Sequence, residues 1–179
     1  MNEKTVVKIE QRRAVIAELV QKMRPMYQAK VTNEYQRHHI ETIVGAGIWY
    51  IPNSGLWTGK VSLKAIESFH PELGTAEPKF TKDHQYPRKV AARRLLDFDW
   101  VESIDPVEKT IELYLEEFGV YNLITPKENR DLMKYQKVEV FTSPQDAYDQ
   151  AGIQLISLTD NQLQEVKQRN KELIESLLY

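Results

Sequence analysis

The sequence contains no cysteine. That excludes a disulfide framework, a cysteine-ligated zinc or iron–sulfur site and a thiol nucleophile, and it suits a reducing compartment. No uninterrupted apolar run approaches the ~18 residues of a membrane span. Residues 1–13 carry charge without the apolar core of a secretory signal. The expectation is a soluble, cytoplasmic chain with no membrane contact. Glycine and proline are sparse, seven and eight of 179 positions, which excludes collagen-like and mucin-like chains. Neither sign of charge dominates: 24 Lys and Arg stand against 26 Asp and Glu, for a net charge of −2. What is present is globular. Apolar residues make up 41%, and the length suffices to bury a core without covalent staples. No internal repeat or low-complexity segment is visible.

The balanced charge is unevenly spread. Residues 79–94 hold six basic residues (Lys79, Lys82, Arg88, Lys89, Arg93, Arg94) and one acid, Asp83. Residues 97–117 hold eight acids and one base, Lys109. Such clustering gives a near-neutral chain a basic face. Hydrophobic periodicity predicts a helix over 3–29, which Pro25 ends or kinks. A second helix runs to Trp49 from a cap at Thr32 or Asn33. Asn53-Ser54-Gly55 reads as a turn and 62–69 as a short helix before His70 and Pro71. The stretch 71–78 is the best internal boundary. Extended segments are expected at 79–84, 120–124 and 138–141. Helices are expected over 88–96 and over 106–118 behind Asp105, then behind Thr125 and over 160–178. At Thr125 the pattern Thr-Pro-Lys-Glu combines a cap, Pro126 at the first helical position and Glu128 three residues on. Three regions follow, 1–74, 75–142 and 143–179, in a mainly helical α+β chain.

Four histidines and the carboxylates carry the acid–base capacity. Adjacent His38 and His39 point about 100° apart on a helix, so they suit one surface and one half-buried position better than one metal. His70 reads as a structural helix-end residue. Trp49, Tyr50 and Trp57 lie among glycines and either stack on bases or pack the N-terminal helices. Met23, Met26 and Tyr27 read as core. Asp83-His84 ends an extended segment, where neighbouring side chains point opposite ways. A carboxylate there can hold a cation while a neutral imidazole takes a proton from water, the two needs of phosphodiester hydrolysis. The same pair can equally be a hydrogen-bonded clasp before Pro87. Thr125 to Glu128 can be a helix start and nothing more, and the basic residues a solvated face.

Phe80-Thr81-Lys82-Asp83-His84-Gln85-Tyr86-Pro87-Arg88-Lys89 resembles the first half of an HNH (ββα-metal) endonuclease motif. Val120-Tyr121-Asn122-Leu123-Ile124-Thr125-Pro126-Lys127-Glu128-Asn129-Arg130-Asp131-Leu132 resembles its second strand, turn and helix. The resemblance spans 78–132. It departs from the usual pattern in the 38 residues from His84 to Asn122 and in lacking zinc-binding cysteines. It implies a short two-stranded ββα unit with a helical insertion, flanked by N- and C-terminal helices. It also implies His84 as general base, Asn122 as the residue orienting it, and Asp83 and Asn129 as ligands of Mg²⁺ or Mn²⁺. Lys82, Arg88, Lys89, Arg93 and Arg94 are then the phosphate contacts. The function implied is cleavage of DNA, with RNA a further substrate candidate, in restriction or phage defence. Symmetric duplex cutting points to a homodimer. Two rivals stand beside this reading: a non-catalytic nucleic-acid-binding or regulatory helical protein, and a helical protein–protein adaptor.

Overall fold

A computed structural model describes residues 3–51, 56–101 and 104–179, with side chains described from residue 11 onward. The turn expected at 53–55 lies outside the described residues. In chain order the elements are α1 (Glu3–Gln28), α2 (Glu34–Trp49), β1 (Trp57–Ser62), α3 (Leu63–Ser68), β2 (Thr81–His84), α4 (Arg88–Asp97) and α5 (Pro106–Leu113). A π-helical turn, Tyr114–Phe118, follows α5. Then come β3 (Tyr121–Ile124), α6 (Pro126–Leu132), α7 (Pro144–Ala151), β4 (Leu155–Ser157), α8 (Asp160–Lys167) and α9 (Lys171–Leu178). The fold is α+β and mainly helical, with one four-stranded mixed sheet in the order β2-β3-β1-β4. Among the described residues no helix is long and apolar enough to cross a membrane.

The chain builds two compact units, each from two stretches: 1–56 with 86–120, and 57–85 with 121–179. The helical unit holds α1, α2, α4, α5 and the π turn. Asn33 caps α2 with a reciprocal bond from Gln36, so the helix starts where its capping signal stands. Ile16, Val20, Ile40, Val44, Ile48, Leu95, Leu96 and Phe118 form its core. Gly45 is required there: a Cβ on it would sit 2.7 Å from the Arg88 carbonyl oxygen, so α2 approaches the first turn of α4 backbone to side-chain-free backbone. α1 runs three residues past Pro25 to Gln28. Tyr27 is buried and Met23 packs on the core, but Met26 is exposed. His38 and His39 are both exposed, against the expectation of one half-buried ring. Tyr50 is 79% exposed and Trp49 half-exposed, so neither is sunk in the core of this unit.

The second unit carries the sheet. β2 and β3 pair antiparallel, with Asp83 opposite Asn122 and His84 opposite Tyr121. The expected two-stranded pair is thus present but widened: β1 adds in parallel to β3, and β4 adds antiparallel to β1. β1 was not legible as a strand because Gly59, at φ +81°, interrupts it with a bulge between Trp57 and Val61. The strand expected at 138–141 is absent. Val140 and Phe141 instead donate their N–H groups back to the Lys137 carbonyl, at 3.1 and 2.9 Å, in a turn. The single helix expected over 160–178 is two, divided at Arg169, which takes a left-handed φ of 63°, and restarted by the Asn170 cap. His70 is a buried structural residue, its Nδ1 accepting the N–H groups of Glu72 and Leu73 at 3.1 Å each.

Candidate functional site

Pairing of β2 with β3 decides what the sequence-expected residues see. Side chains alternate along each strand and cross-strand partners share a face. Asp83 and Asn122 therefore project together on one face, and His84, Lys82 and Tyr121 on the other. The contacts agree. The His84 ring lies 6.2 Å from that of Tyr121, and Lys82 Nζ sits 4.4 Å above the same ring.

Asp83 is 4% exposed and Asn122 fully buried. Gln136 Nε2 donates to Asp83 Oδ1 at 3.0 Å, and the Tyr148 hydroxyl donates to Oδ2. Tyr148, also buried, accepts from Asn122 Nδ2 at 2.9 Å, and Asn122 Oδ1 accepts from the Thr58 hydroxyl on the β1 bulge. Five elements or loops thus feed one continuous chain: Thr58, Asn122, Tyr148, Asp83, Gln136. Both of these partners of the carboxylate are neutral. Burial raises the Asp83 carboxyl above its ordinary pKa, and the two donors pull it part of the way back. Burial and the neighbouring Asp83 charge both push the Tyr148 phenol up, so it stays a donor across the physiological range.

His84 is half-buried. Burial first, and Lys82 second, hold its imidazole below the usual 6.5, so it is neutral at pH 7. A neutral ring can accept a proton; a protonated one cannot.

Asn129 sits on α6, whose start is fixed by its capping box. Glu128 Oε2 accepts from the Thr125 N–H at 2.9 Å and from the Ser62 hydroxyl at 2.7 Å, while the Thr125 hydroxyl accepts from the Glu128 N–H at 3.0 Å. Ser62 in turn caps α3. Glu128 therefore locks α6 to the end of β1, and the helix-start reading of this segment holds. The Asn129 side chain, half-buried, makes no hydrogen bond among the described residues.

The residues present suit a hard divalent cation in their chemistry. Buried carboxylates are normally paired with a positive group or coordinate a metal, and Asp83 has no ion pair among the described residues. Each of its oxygens keeps a second lone pair, and Asn129 offers an amide oxygen. One or two carboxylates with amide or water oxygens is a donor set that Mg²⁺ accepts. No group of three His, Asp or Glu side chains gathers among the described residues.

The expected phosphate contacts are divided. Lys82 belongs to the sheet unit, exposed on the face of His84. Arg88, Lys89, Arg93 and Arg94 belong to the helical unit, and three of them are engaged within it. Arg93 Nε donates to the buried Glu41 at 2.9 Å, and Glu41 also accepts from the Tyr27 hydroxyl at 3.0 Å. Arg94 bonds Glu117 and the Tyr86 hydroxyl, each at 2.6 Å. Lys89 meets His38. Arg88 alone of the four is exposed without an ion pair among the described residues.

Thr58, Gln136 and Tyr148 were not foreseen from the sequence. Ser143, Pro144 and Gly152 did mark the ends of α7, but nothing local announces that Tyr148 meets a carboxylate 65 positions away. Comparison with protein-family models, with curated proteins and with solved structures finds no match to this chain. The HNH resemblance accordingly stands on the residues of β2, β3 and α6 alone.

Proposed function

We propose that this chain is a metal-dependent endonuclease that hydrolyses DNA phosphodiester bonds, with His84 as its general base. The observation that carries the reading is the strand–strand–helix order of β2, β3 and α6, with Asp83 registered opposite Asn122. His84, neutral at pH 7, takes the proton from an attacking water. Lys82, beside it on the same face, offsets negative charge on the phosphate. Asn122 does not touch His84 in this reading. It holds the Tyr148 hydroxyl, which holds Asp83, so Asn122 and Tyr148 are positioning residues. Asp83, which leaves β2 on the face opposite His84, and Asn129 would hold the divalent cation, and a phosphate reaching both faces at the His84 end of the strand would receive charge neutralisation from it.

A second reading is favoured by the closed set of bonds around Asp83. If the carboxylate serves only to tie Gln136 and Tyr148 to the sheet, the chain binds nucleic acid without cutting it. Plasmid incubated with Mg²⁺ or Mn²⁺, beside an EDTA control and the His84→Ala protein, separates the two. Cutting lost in both controls supports hydrolysis. Intact plasmid with retained, salt-sensitive binding supports the second reading.

A further inference from the structure

The sheet unit contains a groove of about 850 Å³ that the hydrolysis reading does not use. It is bounded by α3, by residues 73–79 and by the start of α6. Lys64, Lys79, Lys127 and Arg130 line it, against two carboxylates, Glu67 and Glu77. Lys127 is bonded to Asp131 at 2.7 Å. Lys64, Lys79 and Arg130 are exposed and form no ion pair among the described residues. Leu73, Ala76 and Pro126 supply apolar surface between the charges. The volume lies in the range of small-molecule and cofactor sites.

One wall is held in place before any ligand arrives. The Thr75 N–H donates to the Ser68 carbonyl, and the Gly74 N–H to that of His70, both at 2.9 Å. Arg169 Nη2 donates to the Thr75 carbonyl at 2.6 Å, and Lys171 bonds Glu72 at 2.6 Å. Gly74 is obligatory, since a Cβ there would lie 2.3 Å from the Ser68 oxygen. Three cations that form no ion pair among the described residues line this concave surface beside apolar side chains, which matches a phosphate group carried on an apolar or aromatic body. Preorganisation of this kind lowers the ordering cost of binding.

We infer that this groove binds a phosphate-bearing ligand of the nucleotide class, with Lys64, Lys79 and Arg130 on the phosphate. The ligand is either a free nucleotide or a nucleotide within a polynucleotide strand; the charge and the apolar lining suit both alike. The inference goes beyond the hydrolysis reading and uses none of its residues. The groove adjoins Thr125, at the Thr81 end of the β2–β3 pair, whereas His84 closes the other end about 10 Å along the strand.

The test is binding to fluorescein-labelled dT12 by anisotropy and to ADP and inorganic phosphate by calorimetry, comparing the wild-type chain with Lys64→Ala/Arg130→Ala. Both substituted side chains are exposed, and circular dichroism verifies the fold. Loss of dT12 affinity by tenfold or more, with the salt slope reduced by about 1.4 for two phosphate contacts, supports the inference and identifies a strand. A comparable loss of ADP binding, with dT12 indifferent, supports it and identifies a free nucleotide. No binding of any probe, or binding equal in both proteins, overturns it. His84→Ala is included in each arm. It should retain groove binding while losing cleavage, so failure of the hydrolysis reading and failure of this one are read separately.

Discussion

Tyr148→Phe removes a single hydroxyl and breaks two buried hydrogen bonds. The phenol donates to Asp83 Oδ2 and accepts from Asn122 Nδ2. After the change, a carboxylate 4% exposed keeps the Gln136 donor alone among the described residues, and a fully buried amide N–H loses its partner. A bond to a charged group contributes about 1.5–3 kcal/mol, and an orphaned buried donor costs about 1–3 kcal/mol. Allowing for local relaxation, the expected loss is about 3 kcal/mol at pH 7, roughly 6–12 °C in Tm for a chain of this size. The deficit must also depend on pH. Burial raises the Asp83 pKa above its ordinary 3.8, so the group favours the fold fully below that value, and this contribution is lost as pH rises through its folded pKa. Losing a donor to the ionised form raises the folded pKa further. The variant's deficit is therefore expected to be larger at pH 7 than at pH 4. Urea unfolding followed by circular dichroism at both values measures it. A deficit under about 0.5 kcal/mol, or one equal at the two pH values, refutes the view of Asp83 as a buried carboxylate without a cationic partner.

Asp83→Asn separates stability from function: it removes the buried charge while Gln136 turns its amide to keep a bond. Unfolding is expected to be unchanged or improved by about 1 kcal/mol while cleavage disappears; retained cleavage contradicts the ligand role. Gly45→Ala places a Cβ 2.7 Å from the Arg88 carbonyl. Overpacking of about 1–3 kcal/mol should exceed the helix-propensity gain of about 1 kcal/mol, and an unchanged or higher Tm counts against that close approach. Arg93→Ala strips the buried Glu41 of its guanidinium and should cost about 2 kcal/mol, less than a fully buried pair because Arg93 is half-exposed. Arg88→Ala should stay within about 0.5 kcal/mol in the same urea titrations. The hydrolysis rate should hold its plateau below pH 6.5, since burial and Lys82 lower the His84 pKa. Lys82→Ala should move the midpoint upward, and a midpoint at or above 6.5 in the wild type speaks against His84 as the base.

Local chemistry made much of the fold readable. The capping boxes at Asn33 and Thr125, two of three among the described residues, opened helices where the side chains that build them stand, and Pro106 and Pro126 sit at the first helical turns. β2 and β3 were legible because each is a short extended run beside a turn residue. What failed was decided by distant partners. Val138-Glu139-Val140-Phe141 alternates like a strand, yet among the described residues no neighbour pairs with it, and the Val140 and Phe141 N–H groups close a turn onto Lys137. β1 is interrupted by Gly59, and the three residues of β4 exist as a strand only because β1 is beside them. The continuous periodicity of 160–178 concealed a break that a single left-handed residue imposes. At the site, Asp83, His84 and Asn122 stood out through residue type and spacing. Thr58, Gln136 and Tyr148 did not, because ordinary polar residues acquire their meaning from a strand register and a helix packing that no local pattern encodes. The basic cluster shows the reverse. It is conspicuous in the sequence, yet Arg93 and Arg94 are bonded to Glu41 and Glu117.

The central claim is that the His84 imidazole drives phosphodiester hydrolysis. Supercoiled plasmid incubated with the full chain and Mg²⁺ or Mn²⁺, beside EDTA and the His84→Ala protein, tests it most directly. The expected result is metal-dependent nicking or linearisation that is absent with EDTA and absent in the folded His84→Ala chain. Plasmid left intact under both metals by a folded wild-type protein, or cut equally by His84→Ala, contradicts the account.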